Sequence, residues 1–186
     1  MQQEVFFEDL GNRKYKEVWA YQESLLSDNS AIKASYRGQN EIPVTEWPTK
    51  NHLLFVEHPP VYTLGKNGNR SNVLVSDEQL KVLGIEYFHI NRGGDITYHG
   101  LQQVVGYPIV DLDKFKPDLG WYLRSLEEVI IQVLAEYGLK GERSAGETGV
   151  WLDPHDPFVA RKICAMGIKC SRWITMHGFA LNVNTD

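Results

Sequence analysis

The chain has 186 residues, of which 42% are hydrophobic and 23% are charged, an ordinary balance for a soluble globular protein. This length fits one domain, so we expect a single catalytic-type domain over residues 1–186. No apolar run approaches the roughly 18 residues that a membrane span needs, and the first residues lack the basic and apolar regions of a signal peptide. We therefore expect a cytoplasmic protein that does not bind membranes. A net charge of −5 argues against nucleic-acid binding, which needs a basic face.

Cys164 and Cys170 are the two cysteines of the chain. They are six residues apart, and no further Cys or His stands near them at zinc-binding spacing. In a reducing cytosol they are expected to be free thiols. The sequence therefore predicts no metal site.

In the first half of the chain, apolar runs bounded by Gly and Pro predict strands, and a 3.6-residue apolar period predicts helices. The predicted elements are a strand at 5–7, a helix at 15–26, a polar loop at 27–50, strands at 52–56 and 61–64, a short helix that Asp77 caps and that ends near Gly84, and a strand at 85–90.

The second half begins with a strand at 104–112 and continues with the strongest helical pattern, at 118–137. One face of that helix is apolar, through Leu119, Tyr122, Leu123, Leu126, Val129, Ile130, Val133, Leu134 and Tyr137. Strands follow at 149–152, 163–168 and 174–183. Strands outnumber helices without a strict βαβ alternation, which favours an α+β fold with a mixed, largely antiparallel sheet and helices packed on it.

The segment between the strands at 85–90 and 104–112 carries the densest chemistry. It reads Arg92, Gly93, Gly94, Asp95, Ile96, Thr97, Tyr98, His99 and Gly100. The adjacent glycines allow close approach to the backbone, and Arg92 offers planar donors for a carboxylate, a carbonyl or a phosphate. Thr97 and His99 share a face if the chain is extended. The segment is either a ligand site or a turn whose polar groups satisfy one another.

Lys162 stands among apolar residues in a predicted strand, where a desolvated lysine can act as an acid or a base. The alternative is a strand-edge lysine that reaches solvent. Cys164 lies two residues further on, and a Lys162–Cys164 catalytic pair is one hypothesis. We favour the other, in which Cys164 is a small buried hydrophobic residue, since free cysteines in strands are more often packed than reactive.

Several ordered motifs together resemble one family. They read Glu57-His58-Pro59-Pro60-Val61-Tyr62-Thr63-Leu64-Gly65, the arginine–glycine segment, Gln103-Val104-Val105-Gly106-Tyr107-Pro108-Ile109, Gly149-Val150-Trp151, Lys162-Ile163-Cys164-Ala165-Met166-Gly167 and His177-Gly178-Phe179-Ala180-Leu181-Asn182-Val183. This order is similar to the lipoyl(octanoyl) transferase family over nearly the whole chain. The family usually has His-Gly-Pro-Gly-Gln where this chain has His99-Gly100-Leu101-Gln102-Gln103, which puts the shape of that loop in doubt.

The resemblance implies the fold of biotin and lipoate protein ligases, and it implies site residues. Lys162 would be the catalytic lysine, paired with a cysteine in a Pro-Cys-Gly segment beyond Asp186. No such segment occurs in these 186 residues, so either the chain is truncated before its nucleophile or the sequence covers part of a longer protein. The substrate pocket would comprise residues 92–99 together with Ala165, Met166, Gly167, Gly178, Phe179 and Ala180, with His58 and His177 as possible pocket residues.

The same resemblance implies a reaction in two steps. A cysteine thiolate takes octanoate from acyl carrier protein, and a lysine of a lipoyl domain then attacks the enzyme thioester. Lys162 would lower the pKa of the thiol and later accept the amine proton. No cofactor is required. The expected partners are octanoyl-acyl carrier protein and the lipoyl domains of 2-oxoacid dehydrogenase complexes and of the glycine cleavage H protein.

The partners are typically acidic, and the densest basic cluster of the sequence comprises Arg161, Lys162, Lys169 and Arg172. These residues either steer the partners to the pocket mouth or form a solvated strand edge. Two other functions fit the same fold. One is an ATP-dependent lipoate or biotin ligase, in which Arg92 and the glycines bind carboxylate and phosphate, and the other is a non-catalytic acyl-binding module.

Overall fold

The computed structural model describes residues 3–38 and 41–185. In chain order its elements are β1 (Val5–Asn12), α1 (Tyr15–Tyr36), β2 (Asn51–Glu57), β3 (Val61–Leu64), α2 (Asp77–Leu83), β4 (Glu86–His89), β5 (Ile96–His99), β6 (Gln103–Ile109), α3 (Leu119–Glu136), β7 (Val150–Leu152), β8 (Arg161–Ser171) and β9 (Ile174–Asn182). Short 3₁₀ turns lie at Val44–Glu46, Arg70–Asn72 and Leu112–Lys114.

The strands form two sheets. The larger has the order β1-β2-β6-β9-β8-β7 and the smaller the order β4-β3-β5. In each sheet one pair is parallel, β1 with β2 and β3 with β4, and the other pairs are antiparallel. The predicted α+β class with a mixed, largely antiparallel sheet is therefore confirmed.

Helix α1 is longer than predicted, because it continues to Tyr36 through a region that the sequence assigned to a polar loop. The residues that hold its second half are buried but polar. Asn29 exchanges two hydrogen bonds of 2.8 Å with the backbone of Lys50. Lys33 forms ion pairs with Asp111 at 2.7 Å and Asp113 at 2.6 Å. An apolar period cannot reveal a helix whose buried face is made of amides and ion pairs.

Helix α1 covers one face of the larger sheet. Its Tyr15, Val18 and Leu26 pack on a core of Leu54, Val56, Val105, Tyr107, Ile109, Ile174, Met176 and Ala180. Neighbouring residues of β9 point to the opposite face, where Phe179 and Leu181 pack with α3. The large sheet therefore has α1 on one side and α3 on the other.

The predicted apolar face of α3 is only partly correct. Ile130 and Leu134 are buried against Val150 and Cys164, but Val129 and Val133 are exposed. The buried stripe instead includes Glu127, which has no exposed surface. Its carboxylate accepts hydrogen bonds from Gly149 N at 3.0 Å, Arg124 Nη1 at 2.6 Å and Arg143 Nε at 3.0 Å. A buried charge thus fixes the loop before β7.

Other elements differ from the prediction at their ends. β1 runs to Asn12 rather than stopping at residue 7, and the residues after the double glycine form an additional strand, β5. The cap of α2 is Ser76 and not Asp77, because Ser76 and Gln79 form a reciprocal capping box. Asp118 caps α3 through Trp121 N, at 2.9 Å.

The departure from the Pro-Gly of the family pattern is visible in the backbone. Gln102 has a φ of +66°, a left-handed conformation that favours glycine. Its amide donates to Glu57 Oε1 at 2.6 Å, and its carbonyl accepts from the amides of Val183 and Asn184, both at 3.2 Å. The turn therefore keeps a glycine-type geometry with a side chain in place.

We expect Glu127→Ala to lower the free energy of unfolding by about 2–3 kcal/mol, because Gly149 N loses its acceptor and two arginines lose a buried partner. Urea denaturation measures this change. Glu128→Ala is the matched control, since Glu128 contacts Arg143 at 2.8 Å from an exposed position. A Glu127 variant that is no less stable than the Glu128 variant would contradict the assignment.

We expect Gln102→Gly to raise the free energy of unfolding by up to about 1 kcal/mol, since glycine relieves the cost of a left-handed residue but loses more chain entropy. Gln102→Ala keeps a Cβ and should give no gain. Thermal or urea denaturation of both variants tests this, and a destabilised glycine variant would disprove it.

Candidate functional site

A narrow cavity lies between the two sheets, with the start of α1 as a third wall, and its empty space of about 310 Å³ includes solvent at the open mouth. It is lined by Tyr15, Arg92, Thr97, His99, Val105, Tyr107, Ala165, Met166, Gly167, His177, Gly178, Phe179 and Ala180. The structure thus brings together residues from the three stretches that were predicted to form the pocket, 92–99, 165–167 and 178–180. Thr97 and His99 both line the cavity, as their two-residue spacing in a strand predicts.

The Arg92 guanidinium organises the loop between β4 and β5. It is 7% exposed, and five protein oxygens lie within hydrogen-bond distance of it, one at Nη1 and four sharing the two hydrogens of Nη2. The acceptors are the carbonyls of Thr63, Gly93 and Asp95, each at 2.9 Å, and the hydroxyls of Thr63 at 3.1 Å and Thr97 at 2.9 Å. Within residues 3–38 and 41–185, no carboxylate forms an ion pair with it, and burial lowers its pKa. Most of its donors are therefore committed to the protein.

Several glycines around the cavity lie so close to a neighbouring backbone segment that a side chain would not fit. A Cβ on Gly65 would lie 2.2 Å from Gly94 O, and one on Gly167 would lie 2.7 Å from Gly93 O. Gly93 N also donates to Ile168 O at 2.9 Å, which ties the loop to β8. A Cβ on Gly178 would lie 2.2 Å from the carbonyl oxygen of Gly106. These close approaches define the cavity walls.

His99 presents a neutral imidazole to the cavity. Its Nδ1 lies 2.7 Å from Gln103 Oε1, an acceptor, so Nδ1 carries the proton and Nε2 is left with a lone pair. Burial is the main reason that the pKa of His99 falls to about 3. The ring therefore stays uncharged at physiological pH.

His177 is a second neutral imidazole in the cavity wall. Its Nε2 donates to Asn91 Oδ1 at 2.9 Å, which leaves Nδ1 as an acceptor. Within the described part of the chain, this buried Nδ1 has no partner. Burial, reinforced by Arg92, lowers the pKa of His177 to about 3. Its φ of +61° in the middle of β9 marks a strained backbone.

His58 lies one layer behind the cavity and does not line it. Its Nδ1 donates to Arg13 O at 2.7 Å, and its Nε2 accepts from the Tyr107 hydroxyl at 2.8 Å. Burial lowers the pKa of His58. This histidine fixes the orientation of Tyr107, which forms part of the cavity floor.

Tyr15, Val105 and Tyr107 line the cavity, although the sequence assigned them no role in the site. Tyr15 begins the apolar stripe of α1 and stacks on His99 with ring centroids 6.0 Å apart. In the sequence it is indistinguishable from a core residue. The hydroxyl on an otherwise apolar stripe was the one available signal.

Lys162 lies beside an adjoining opening rather than in the deep cavity. That opening is lined by Arg92, Gly93, Gly94, Asp95, Ile96, Thr97, Leu123, Glu147, Thr148, Lys162, Ala165, Met166, Gly167 and Ile168. Of the two alternatives for Lys162, the structure shows the lysine that reaches solvent, since 35% of the side chain is exposed. Its Nζ lies 3.2 Å from Glu147 Oε2 and 4.6 Å from the centre of the Trp151 ring.

Lys162 and Cys164 do not form a pair. β7 and β8 shift register between Val150 and Trp151, so that Val150 opposes Cys164 and Trp151 opposes Lys162. The extra residue in β8 breaks the alternation of side chains. Cys164 is fully buried in the cluster under α3, and burial raises the pKa of its thiol to about 12. It has the surroundings of a packing residue.

The basic residues of β8 do not form a basic surface. Arg161 lies 3.8 Å from Asp153, Lys162 pairs with Glu147, and Lys169 lies 3.2 Å from Glu23. Arg172 is at the far end of the strand, in the turn to β9. Of these four residues Lys162 alone lines the opening, and Arg161, Lys162 and Lys169 each have an acidic partner, so the arrangement is closer to the solvated strand edge than to a basic ring around the mouth.

The remaining predicted site residues lie at the rim. Asp95 is exposed and accepts a hydrogen bond from Asn72, and Ile96 is half-buried beside the opening. Tyr98 is exposed and packs on Tyr62, with ring centroids 5.0 Å apart. It lines a surface groove beside the cavity rather than the cavity itself.

Two kinds of site are absent from the described residues. They contain no cluster of three or more His, Cys, Asp or Glu side chains that could hold a metal ion. Their helices include none of the length and apolarity that a membrane crossing requires.

Comparison with known proteins places this architecture in a family. The family described as "Lipoyl protein ligase A/B catalytic domain" matches residues 14–186. The octanoyltransferase of Christiangramia forsetii is 58% identical over 186 residues, which is all of this chain and 77% of that protein. The octanoyltransferase of Flavobacterium johnsoniae is 56% identical over the same span, 78% of its length.

Solved structures agree on the fold. A bipartite lipoate protein ligase from the archaeon Thermoplasma acidophilum has a TM-score of 0.63 at 19% identity, covering all of this chain and 63% of its own. A lipoate-protein ligase A bound with ATP also has a TM-score of 0.63, at 17% identity, covering all of this chain and 68% of its own. The chain therefore belongs to the lipoyl protein ligase A/B catalytic-domain family and, within it, to the octanoyltransferases, which are acyltransferases.

Proposed function

We propose that this acyltransferase moves an octanoyl or lipoyl group from acyl carrier protein to a specific lysine of lipoyl domains, through a cysteine thioester. The observation that carries the proposal is the position of Lys162 at the opening of a cavity in a chain 58% identical to an octanoyltransferase. The reaction would be the first step of endogenous lipoate synthesis in the cytoplasm. We propose that residues 1–186 act in it as one catalytic domain.

The cavity suits the apolar chain of a medium-length acyl group. Its walls include Val105, Ala165, Met166, Phe179 and Ala180. The two histidines in the wall are uncharged, so an alkyl chain beside them displaces no ionic hydration.

The nucleophile in this proposal is the cysteine of a Pro-Cys-Gly segment, which these 186 residues do not contain. Its thiolate attacks the carrier thioester, a new C–S bond forms, the C–S bond to the carrier breaks, and the departing carrier thiolate takes a proton from the Lys162 ammonium. The Lys162 ammonium stabilises the thiolate and so lowers the pKa of that thiol. Glu147 and Trp151 support this role, because they hold the ammonium at the opening of the cavity.

In the second step the amine of the lipoyl-domain lysine attacks the enzyme thioester. An amide C–N bond forms, the C–S bond to the enzyme breaks, and the neutral Lys162 amine accepts the proton that the attacking amine loses, which restores the ammonium beside the cysteine thiolate. Backbone amides near the opening stabilise the oxyanion of the tetrahedral intermediate. The acceptors we propose are the lipoyl domains of 2-oxoacid dehydrogenase complexes and of the glycine cleavage H protein.

Two other functions have less support. A ligase that activates a free acid with ATP needs donors for phosphate, whereas five protein oxygens already surround Nη1 and Nη2 of Arg92. The two ligase structures compared above share under 20% identity with this chain, so they support the fold alone. A purely acyl-binding module gives no reason for an ion-paired lysine beside the cavity.

We expect Lys162→Ala to reduce octanoyl transfer by about 10²–10⁴-fold, the usual loss when an acid–base group is removed. Transfer from octanoyl-acyl carrier protein to an apo lipoyl domain is followed by mass spectrometry, in protein that includes the Pro-Cys-Gly segment. Lys169→Ala is the matched control, because Lys169 lies on the same strand and is also ion-paired. Equal activity in the two variants would reject the catalytic role of Lys162.

We expect Cys164→Ser and Cys170→Ser to leave octanoyl transfer largely intact. Cys164 is buried with a raised pKa, and burial also raises the pKa of Cys170, so neither thiol ionises readily. Peptide mapping after incubation with octanoyl-acyl carrier protein identifies the acylated cysteine. An octanoyl adduct on Cys164 would restore the Lys162–Cys164 pair and overturn the proposed nucleophile.

A further inference from the structure

Three basic side chains at the start of α1 are exposed and unpaired. Arg13, Lys14 and Lys16 lie within four residues, and each is exposed. Among the ion pairs and hydrogen bonds of the described residues, none involves these three side chains. They contrast with the three cations of β8, Arg161, Lys162 and Lys169, each of which has an acidic partner. In a chain with a net charge of −5, this group is a local concentration of positive charge.

The start of the helix adds to this positive field. Lys14 occupies the N-cap, and its side chain makes no capping hydrogen bond. The helix dipole places partial positive charge at the same end, where cations are unfavourable. Glu17 is the one acidic residue of the first turn. The cluster therefore opposes the stability of α1 and has no structural partner that explains it.

The cluster lies at the same end of the large sheet as Lys162. Strand registers connect the two, because Asn12 pairs with Glu57 at the end of β2 and Gln103 pairs with Asn182 at the end of β9. Between them, β2 and β6 run antiparallel, so the end of β2 meets the start of β6. Asn182 Nδ2 then reaches Lys162 O on β8 at 3.5 Å. Four strand spacings separate β1 from β8, about 19 Å at the usual distance between strands.

We propose that Arg13, Lys14 and Lys16 form the docking surface for the acidic acyl carrier protein that delivers the octanoyl group. The inference rests on the proposed function and names the donor's contact surface. Charge complementarity is the first argument, since unpaired cations on an acidic protein favour an acidic partner and speed its encounter.

Reach is the second argument. A carrier protein holds its acyl group at the end of a long phosphopantetheine arm, so it can dock some distance from the reacting carbonyl. The acceptor amine ends a single lysine side chain, so a lipoyl domain must dock against the opening itself. A surface that lies four strand spacings across the sheet from the strand of Lys162 therefore fits the donor and not the acceptor.

The test is the affinity of this chain for octanoyl-loaded acyl carrier protein, measured by calorimetry at several salt concentrations. Lys14→Glu/Lys16→Glu should bind the carrier roughly tenfold more weakly and with a flatter salt dependence, because attraction becomes repulsion. The same substitutions place acidic residues at a helix N-terminus, so the variant should be at least as stable as the wild type. Weaker binding would then not reflect unfolding.

Arg37→Glu is the matched control, since Arg37 is an exposed cation at the other end of the same helix. It should bind the carrier as the wild type does. Octanoyl-pantetheine, which has part of the arm but no protein, should bind the wild type and the double variant equally. An apo lipoyl domain should also bind both equally.

Unchanged carrier affinity in the double variant, or a loss confined to the lipoyl domain, would overturn the docking proposal and leave the proposed function standing. A wild-type chain that binds octanoyl-pantetheine but not the carrier would do the same. Failure of the wild type to bind either octanoyl compound would count against the proposed function itself.

Discussion

The site depends on one buried guanidinium. Arg92 connects β3, the double-glycine loop and β5 through hydrogen bonds to carbonyls and hydroxyls of all three. The loop in turn bonds to β8 through Gly93. A buried cation without a carboxylate partner is stable only when its donors are satisfied, so the loop has little freedom to take another shape. One side chain thus fixes the loop through which the smaller sheet contacts β8 of the larger one.

Lys162 depends on a second set of contacts, built from the other side of the sheet. Glu127 fixes the amide of Gly149, and a Cβ on Gly149 would lie 2.4 Å from Cys164 O. This packs the loop before β7 directly on β8, where Glu147 and Trp151 meet the lysine. The buried carboxylate of Glu127 on α3 therefore helps to position the Lys162 ammonium, because it fixes Gly149, which lies two residues from both Glu147 and Trp151.

The sequence predicted those parts of the fold that rest on apolar periodicity. The strand order could not be read from it, but the class, α3 and the strands after Gly149 could. It failed where polar contacts decide, as in the second half of α1, which is held by Asn29 and Lys33. The sequence also contains no indication of the β-bulge in β8. No residue type in 161–164 predicts the register shift that separates Lys162 from Cys164.

The candidate site was also predicted only in part. The resemblance to a family implied which stretches of the chain would form a pocket, and these stretches do line one cavity and its opening. The sequence left open whether the donors of Arg92 would serve a ligand or the protein itself, and it did not predict that the basic residues of β8 would have acidic partners. Both facts depend on distances between residues remote in sequence, such as Lys169 and Glu23.

The two neutral histidines have a consequence for the lifetime of an acyl-enzyme. With pKa values near 3, His99 and His177 are very weak bases, and neither can withdraw a proton efficiently from a water molecule. An enzyme that stores its acyl group as a thioester, as proposed above, loses a turnover each time water reaches that bond before the acceptor amine does. Imidazoles that burial keeps uncharged, and whose tautomers the amide oxygens of Gln103 and Asn91 fix, would leave hydrolysis uncatalysed. The polar part of the wall would then protect the intermediate as effectively as the apolar part.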